Sequence, residues 1–232
     1  SQALCTFAMI GFLRSSYPQK KIVLGGGLVT TWLSNNDWQE HFAGLVDIFI
    51  AGKGEEPLLR LLQVSPKTDY AKPDYSELNN RYLSPGFILP YASSTGCFWK
   101  KCSFCPETSE DNPYLHVPPQ TTVEDLHTLS AETSPALIHM LDNAVSPGTF
   151  RALIQSPPPA PWYGFARFDT LLADAGFCHD LRASGCIMLK LGLESGDQQV
   201  LDKMNKGINL ELASKVLANL KNAGIATYVY LL

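Results

Sequence analysis

No apolar run in this sequence approaches the roughly 20 residues a membrane-spanning helix needs. No signal peptide opens it either. Charge is sparse: Asp, Glu, Lys and Arg make up 17% of the chain, and the net charge is −4 at neutral pH. That balance gives no electrostatic basis for binding nucleic acid or an anionic membrane surface. The G-x-G-x-x-G spacing of a dinucleotide-binding loop is also missing. A disulfide framework belongs to short secreted chains, and this chain is long and shows no signal-peptide pattern. Its six cysteines therefore predict a reducing, cytoplasmic setting.

What is present fits a globular protein. Hydrophobic residues make up 45% of the 232, enough for a sizeable core in one large domain or two small ones. The chain starts at Ser1 inside a helical pattern and stops within an apolar strand pattern at 228–232. It reads as a piece cut at both ends.

The first series of elements alternates strand and helix. Residues 1–14 place Leu4, Phe7, Ala8, Ile10 and Gly11 at helical spacing, which predicts an amphipathic helix. A strand at Ile22–Leu24 runs into Gly25-Gly26-Gly27, read as a tight turn. A weak helix follows at Trp32–Phe42, a strand at Leu45–Ala51, and a helix after Gly52-Lys-Gly-Glu-Glu56 with acidic residues in its first turn. This rhythm predicts a parallel α/β unit over residues 1–64. Residues 65–84 show no period and read as a linker.

The second series, 85–232, has strands at Phe87–Ala92, Ala136–Leu141, Trp162–Ala166, Ile187–Leu193 and Ala226–Leu232. Helices are expected from Thr121, where Thr121…Glu124 has capping-box spacing, and at 148–154, 170–175, 178–184 and 210–223. Each strand is apolar within and polar at its C-terminal end. That is the pattern of a parallel β/α barrel, whose chemistry sits at those ends.

One loop carries unusual chemistry. Gly-Cys-Phe-Trp-Lys-Lys-Cys-Ser-Phe-Cys-Pro, at 96–106, sets Cys97, Cys102 and Cys105 within nine residues. The other cysteines, Cys5, Cys178 and Cys186, lie among apolar neighbours. Three thiolates can hold one soft metal centre but are one short of a closed four-thiolate site. A structural zinc site, with His116 as fourth ligand in a non-catalytic interaction module, is the alternative. An electron-transfer iron–sulfur protein would want four cysteines.

Here the sequence resembles a known family. Gly96-Cys97-(four residues)-Cys102-Ser-Phe-Cys105 is similar to the cluster loop of the radical S-adenosylmethionine (radical SAM) enzymes, whose commonest pattern has three residues in the first gap. Gly164-Phe-Ala-Arg-Phe-Asp169, Gly192-Leu-Glu-Ser-Gly196 and Val200-Leu-Asp-Lys-Met-Asn-Lys-Gly207 also look like that family. The aromatic loop resembles members with an N-terminal cobalamin-binding-like domain, as does the passage Asp47…Glu56. The Asp-x-His-x-x-Gly cobalamin motif is absent from this stretch, so the resemblance puts cobalamin only in a full-length protein.

The resemblance implies a fold, cofactors and roles. The fold is a partial Rossmann-like sheet followed by a partial TIM-type barrel. Cys97, Cys102 and Cys105 hold a [4Fe-4S] cluster, and S-adenosylmethionine chelates the fourth iron. Reductive cleavage of that cofactor yields a 5′-deoxyadenosyl radical that takes hydrogen from a substrate. Phe104 lies near the adenine. Asp142, where the family usually has Gly-Gly-Glu, takes the methionine amino group. Arg167 pairs with the cofactor carboxylate or, alternatively, with Asp169. Glu194 and Ser195 bind ribose or the amino-acid moiety. A flavodoxin or ferredoxin supplies electrons. The substrate is not readable from the sequence.

Overall fold

The computed structural model describes residues 2–35, 42–65, 70–78 and 83–232. The chain forms two compact units, Ser1–Asp69 and Tyr70–Leu232.

The first unit carries α1 (Gln2–Ser16), β1 (Val23–Gly25), α2 (Gly27–Ser34), β2 (Ile48–Ile50) and α3 (Glu55–Leu61). The strands β1 and β2 pair in parallel. A small core gathers Ile10, Ile22 and Val46, with Phe7 and Leu13 of α1 packed on it. The inward stripe of α1 is thus Phe7, Ile10 and Leu13, while Leu4, Met9 and Phe12 are exposed. Asp47 ties the unit together: its Oδ2 accepts from Ile22 N and from Arg14, both at 2.7 Å. Those donors hold its carboxyl below the usual range. The glycine turn leads directly into α2, earlier than the helix expected at 32–42. Residues 36–41 of that expectation lie outside the described residues.

The second unit holds β3 (Ile88–Tyr91), β4 (Ser94–Thr95), α4 (Pro106–Ser109), β5 (Leu115–His116), α5 (Pro119–Thr133), β6 (Leu137–Met140), α6 (Pro147–Gln155), β7 (Trp162–Ala166), α7 (Ala175–Ala183), β8 (Cys186–Glu194), α8 (Gln198–Lys203), α9 (Leu210–Asn222) and β9 (Ala226–Leu231). Five strands form one parallel sheet in the order β3-β6-β7-β8-β9, so chain order and spatial order coincide. The edges of this sheet are β3 and β9. Ile138, Met140, Trp162, Leu189 and Leu191 point from the strands into a core shared with Leu126, Leu129, Phe150, Val216 and Leu220 of the helices. The other face carries His139, Tyr163, Phe165 and Lys190. His139 stacks on Tyr163 at 4.3 Å, and Lys190 Nζ lies 4.9 Å from both the Tyr163 and Phe165 ring centres.

Three local expectations are corrected. The α5 helix starts at Pro119, with no side-chain cap at Pro118. Proline at the first helical position already has a helical φ and lacks an N–H that would need a partner, so the helix opens two residues before Thr121. Residues 170–173 are turn rather than helix. Asp169 Oδ1 accepts from Leu171 N and Leu172 N at 3.0 and 3.1 Å, and this local capping competes with a helix. The helix at 198–203 was not expected; Asp197 caps it through Gln199 N and Val200 N.

Of the expected linker, 66–69 and 79–82 lie outside the described residues. Residues 70–76 are fastened to the second unit. Tyr70 and Tyr91 both donate to Asp125, Tyr75 to the Pro90 carbonyl, and Lys72 pairs with Glu132.

Candidate functional site

The C-terminal ends of the parallel strands open into a cavity of about 440 Å³. Cys97, Cys102, Phe104 and Cys105 line it from the loop after β3, Arg167 from the end of β7, and Glu194 from the end of β8. Polar groups gather there because a parallel strand ends where the apolar layer ends.

The loop is seated on a segment that sequence reasoning left without a role. Ser103 N donates to Met204 O at 2.9 Å. Trp99 lies against Gly207, whose φ is +66°. A Cβ on Gly207 would stand 2.1 Å from the Trp99 ring, so only glycine admits this contact. Arg167 stacks on the other part of this arrangement, 4.2 Å from the Trp99 ring centre, and donates to the Lys206 carbonyl at 2.7 Å. Residues 203–207 therefore form the cradle of the cysteine loop. The signal was present as the Lys-Met-Asn-Lys-Gly run, but its spatial partner was not.

The thiols share one neighbourhood. Cys102 is buried at 8% exposure. Burial pushes the Cys105 thiol up; the Glu107 backbone opposes this, while the sulfurs of Cys102 and Cys97 and the Glu107 charge add to it. Burial lowers the pKa of Arg167, with the Cys102 and Cys97 sulfurs opposing that shift. Arg167 shares the cavity wall with Cys97 and Cys102.

Glu194 is buried, and its Oε1 accepts from Lys206 Nζ at 2.5 Å. Its φ of +67° is a left-handed backbone for a non-glycine residue. The β8–β9 register shifts between Gly192 and Glu194. A Cβ on Gly192 would stand 2.5 Å from Glu194 Oε1 and 3.0 Å from Lys206 Nζ. The glycine two residues ahead leaves room for the carboxylate to fold back onto its lysine. Lys206 also lies 5.4 Å from the Phe104 ring centre.

The structure does not bring Asp142 or Ser195 to the cavity wall. Asp142 is 1% exposed. Its Oδ1 accepts from Ser93 Oγ at 2.7 Å and Ser94 Oγ at 2.5 Å, and its Oδ2 from Ser93 N at 3.1 Å. It braces the chain leaving β3. Ser195 Oγ accepts from Asp197 N at 3.1 Å, at the entry to α8. Instead Asn143, Glu107 and Lys206 line the cavity. Asn143 Nδ2 donates to Glu107 Oε1 at 2.8 Å and to the Gly96 carbonyl at 3.1 Å.

Among the described residues, no group of three or more His, Cys, Asp and Glu side chains is placed to hold a metal ion. A zinc knuckle needs sulfurs about 3.8 Å apart, from tetrahedral Zn–S bonds near 2.3 Å. Thiolates that each bind a different iron of one cluster stand farther apart and need not converge on one point. His116, the proposed fourth zinc ligand, lies in β5, stacks on Tyr114 just before that strand, and is not on the cavity wall. The donor set, three soft thiolates from one loop, suits an iron–sulfur cluster with one iron left open.

No protein-family model and no curated protein matches the chain. Solved structures do. The chain is similar to the cobalamin-dependent S-adenosylmethionine radical enzyme OxsB with aqua-cobalamin bound (TM-score 0.69, 15% identity), over 100% of this chain and 39% of that one. The OxsB structure with aqua-cobalamin and S-adenosylmethionine gives a TM-score of 0.68 at the same identity and coverage. The radical S-adenosylmethionine methyltransferase TsrM from Kitasatospora setae, with cobalamin and a [4Fe-4S] cluster bound, matches at TM-score 0.53 and 18% identity, over 63% of this chain and 31% of that one. The chain spans about two fifths of OxsB. By its parallel sheet, its strand order and this likeness, the chain has the fold of the cobalamin-dependent radical SAM enzymes.

Proposed function

We propose that this chain is the cluster- and cofactor-binding part of a radical SAM enzyme, and that its sheet is part of a β/α barrel. One observation carries the reading. The three cysteines of one loop share a cavity with Arg167 and Glu194, at the C-terminal ends of parallel strands. When bound to Cys97, Cys102 and Cys105, an iron–sulfur cluster supplies the electron for reductive cleavage of S-adenosylmethionine.

The chain's own residues prepare that site. Trp99, Gly207 and the Ser103–Met204 hydrogen bond hold the loop in place. Arg167 puts a half-buried cationic side chain on the cavity wall that the cysteines share, stacked on Trp99 of the same loop. Phe104, 43% exposed, offers an apolar ring at the cavity for a nucleoside base. Glu194 serves the site as part of a neutral pair with Lys206. A flavodoxin- or ferredoxin-type protein is the proposed electron donor. Cobalamin stays with the longer protein in this reading.

Anaerobic reconstitution with iron and sulfide, followed by EPR with and without S-adenosylmethionine, tests the proposal. A reduced cluster signal that changes when S-adenosylmethionine is added is the expected outcome. Stoichiometric zinc with no cluster sinks it, and a signal indifferent to the cofactor points to simple electron transfer.

A further inference from the structure

One face of the five-stranded sheet packs on the helices. The other carries aromatic rings around a single ammonium group. In the register of the sheet, Phe165 of β7 pairs with Lys190 of β8, and Lys190 with Tyr228 of β9. The next row toward the strand ends pairs Gly192 with Tyr230, and the row below sets His139 beside Tyr163. Register partners point to the same side of a parallel sheet, so these side chains share one face. Phe165 stacks on Tyr230 with ring centres 5.6 Å apart. Tyr228 and Tyr230 are exposed, and Lys190 is half-buried.

Lys190 has rings for neighbours and no counter-charge. Its Nζ lies 4.9 Å from the centres of the Tyr163 and Phe165 rings and 3.4 Å from His139 Nε2. Burial and the Lys190 charge hold His139 below the ordinary imidazole value, so the ring is neutral near pH 7 and can accept one lysine N–H. No ion pair among the described residues includes Lys190. Glu194, farther along the same strand, is taken by Lys206. An ammonium has three donors, and the remaining ones are best matched by an anion.

The face leads to the cluster loop. Phe165, Gly192 and Tyr230 also line the cysteine cavity. Lys190 stands two residues before Gly192 on β8, about 7 Å deeper along the strand. Gly192 has no side chain to separate the two. A flat molecule lying on the rings therefore reaches from Lys190 to the cavity. One ammonium balances one carboxylate. A phosphate, at about −2, keeps uncompensated charge against ring faces that are themselves negative.

We propose that this sheet face binds a flat aromatic carboxylate as substrate, with Lys190 taking the carboxylate and Phe165 and Tyr230 stacking on the ring. This deepens the function proposed above and rests on it.

The test uses naphthoate and naphthamide, the same ring system with and without the charge. Both are titrated anaerobically into the reconstituted chain by calorimetry. The wild type is expected to bind naphthoate roughly 10-fold more tightly than naphthamide. Lys190→Met loses that preference by weakening naphthoate alone, and keeps its iron content and circular dichroism. Lys190→Arg keeps part of the preference. Tyr230→Leu weakens both ligands alike, because it removes stacking and leaves the charge. No preference in the wild type, or one unchanged in Lys190→Met, overturns the site and leaves the proposed function standing. Naphthyl phosphate binding more tightly than naphthoate overturns the carboxylate assignment. The same titrations are run on the longer protein of which the proposed function makes this chain a part. A preference present in the chain and absent there means that a protein carboxylate occupies Lys190, which also overturns the substrate assignment. A chain that takes up no iron overturns the proposed function whatever the ligands do, and the substrate reading with it.

Discussion

Lys206 Nζ lies 2.5 Å from Glu194 Oε1 in the wall of the cysteine cavity, with both side chains about nine-tenths buried, at 11% and 10% exposure. Breaking one side of such a pair leaves an uncompensated buried charge. Lys206→Met is expected to cost about 3–5 kcal/mol in equilibrium urea unfolding. The double variant with Glu194→Gln should recover most of it. A single-variant loss below about 1 kcal/mol would show that water reaches the pair.

Gly207→Ala meets two obstacles, a left-handed backbone and the Trp99 ring. The backbone alone costs about 1–2 kcal/mol. The ring must also move, and with it the cysteine loop. Iron retained after reconstitution should therefore drop. Adding Trp99→Phe, which removes the ring atoms nearest the new methyl, should restore part of it. Near-ultraviolet circular dichroism and an iron assay report the two effects.

Asp142→Asn should act on stability and spare cofactor recognition. Its carboxylate accepts from Ser93 and Ser94 inside the protein. Loss of one charged acceptor is expected to cost about 1–3 kcal/mol by thermal or chemical unfolding. Affinity of the reconstituted chain for S-adenosylmethionine should stay within about twofold of wild type, less than half a kcal/mol.

The six cysteines should divide by environment. Cys178 is buried, and burial pushes its thiol up to about 11. Iodoacetamide at pH near 8 should alkylate the exposed Cys5 and spare Cys178, since the thiolate is the nucleophile. Cys102→Ala should abolish cluster assembly, and Cys178→Ala should leave it intact. Equal iron loss in both removes the ligand assignment.

His139 titrates below the ordinary imidazole value, because burial and the Lys190 ammonium disfavour a second positive charge. A folded pKa below the unfolded one gives stability that is full above the unfolded value. It is lost as pH falls through the folded value. Unfolding free energy should therefore decline as pH drops below about 6.5. His139→Gln should flatten that part of the profile; an unchanged slope would place the titration elsewhere.

The cysteine loop and the five strands were legible because both are written locally. Trp162–Ala166 coincides with its strand, and 213, 216 and 220 form the buried stripe of α9. A cysteine triplet needs no distant partner to be recognised. The turn at 170–173 was misread because an Asp side chain can cap its own neighbours, which periodicity does not register.

The amino-acid sequence by itself determined the strand–helix rhythm, the cysteine loop and its place after the first strand of the second unit. Those follow from residue spacing and side-chain chemistry along the chain. Tertiary structure alone decided which polar residues reach the cavity. Asp142 and Glu107 are both acids near a strand or loop end, yet Ser93 and Ser94 satisfy one while the other keeps a buried, unpartnered oxygen. Lys206 and Gly207 join the site only because the chain returns beneath Trp99. A carboxylate's role depends on the donors that surround it, and those donors come from segments far apart in sequence.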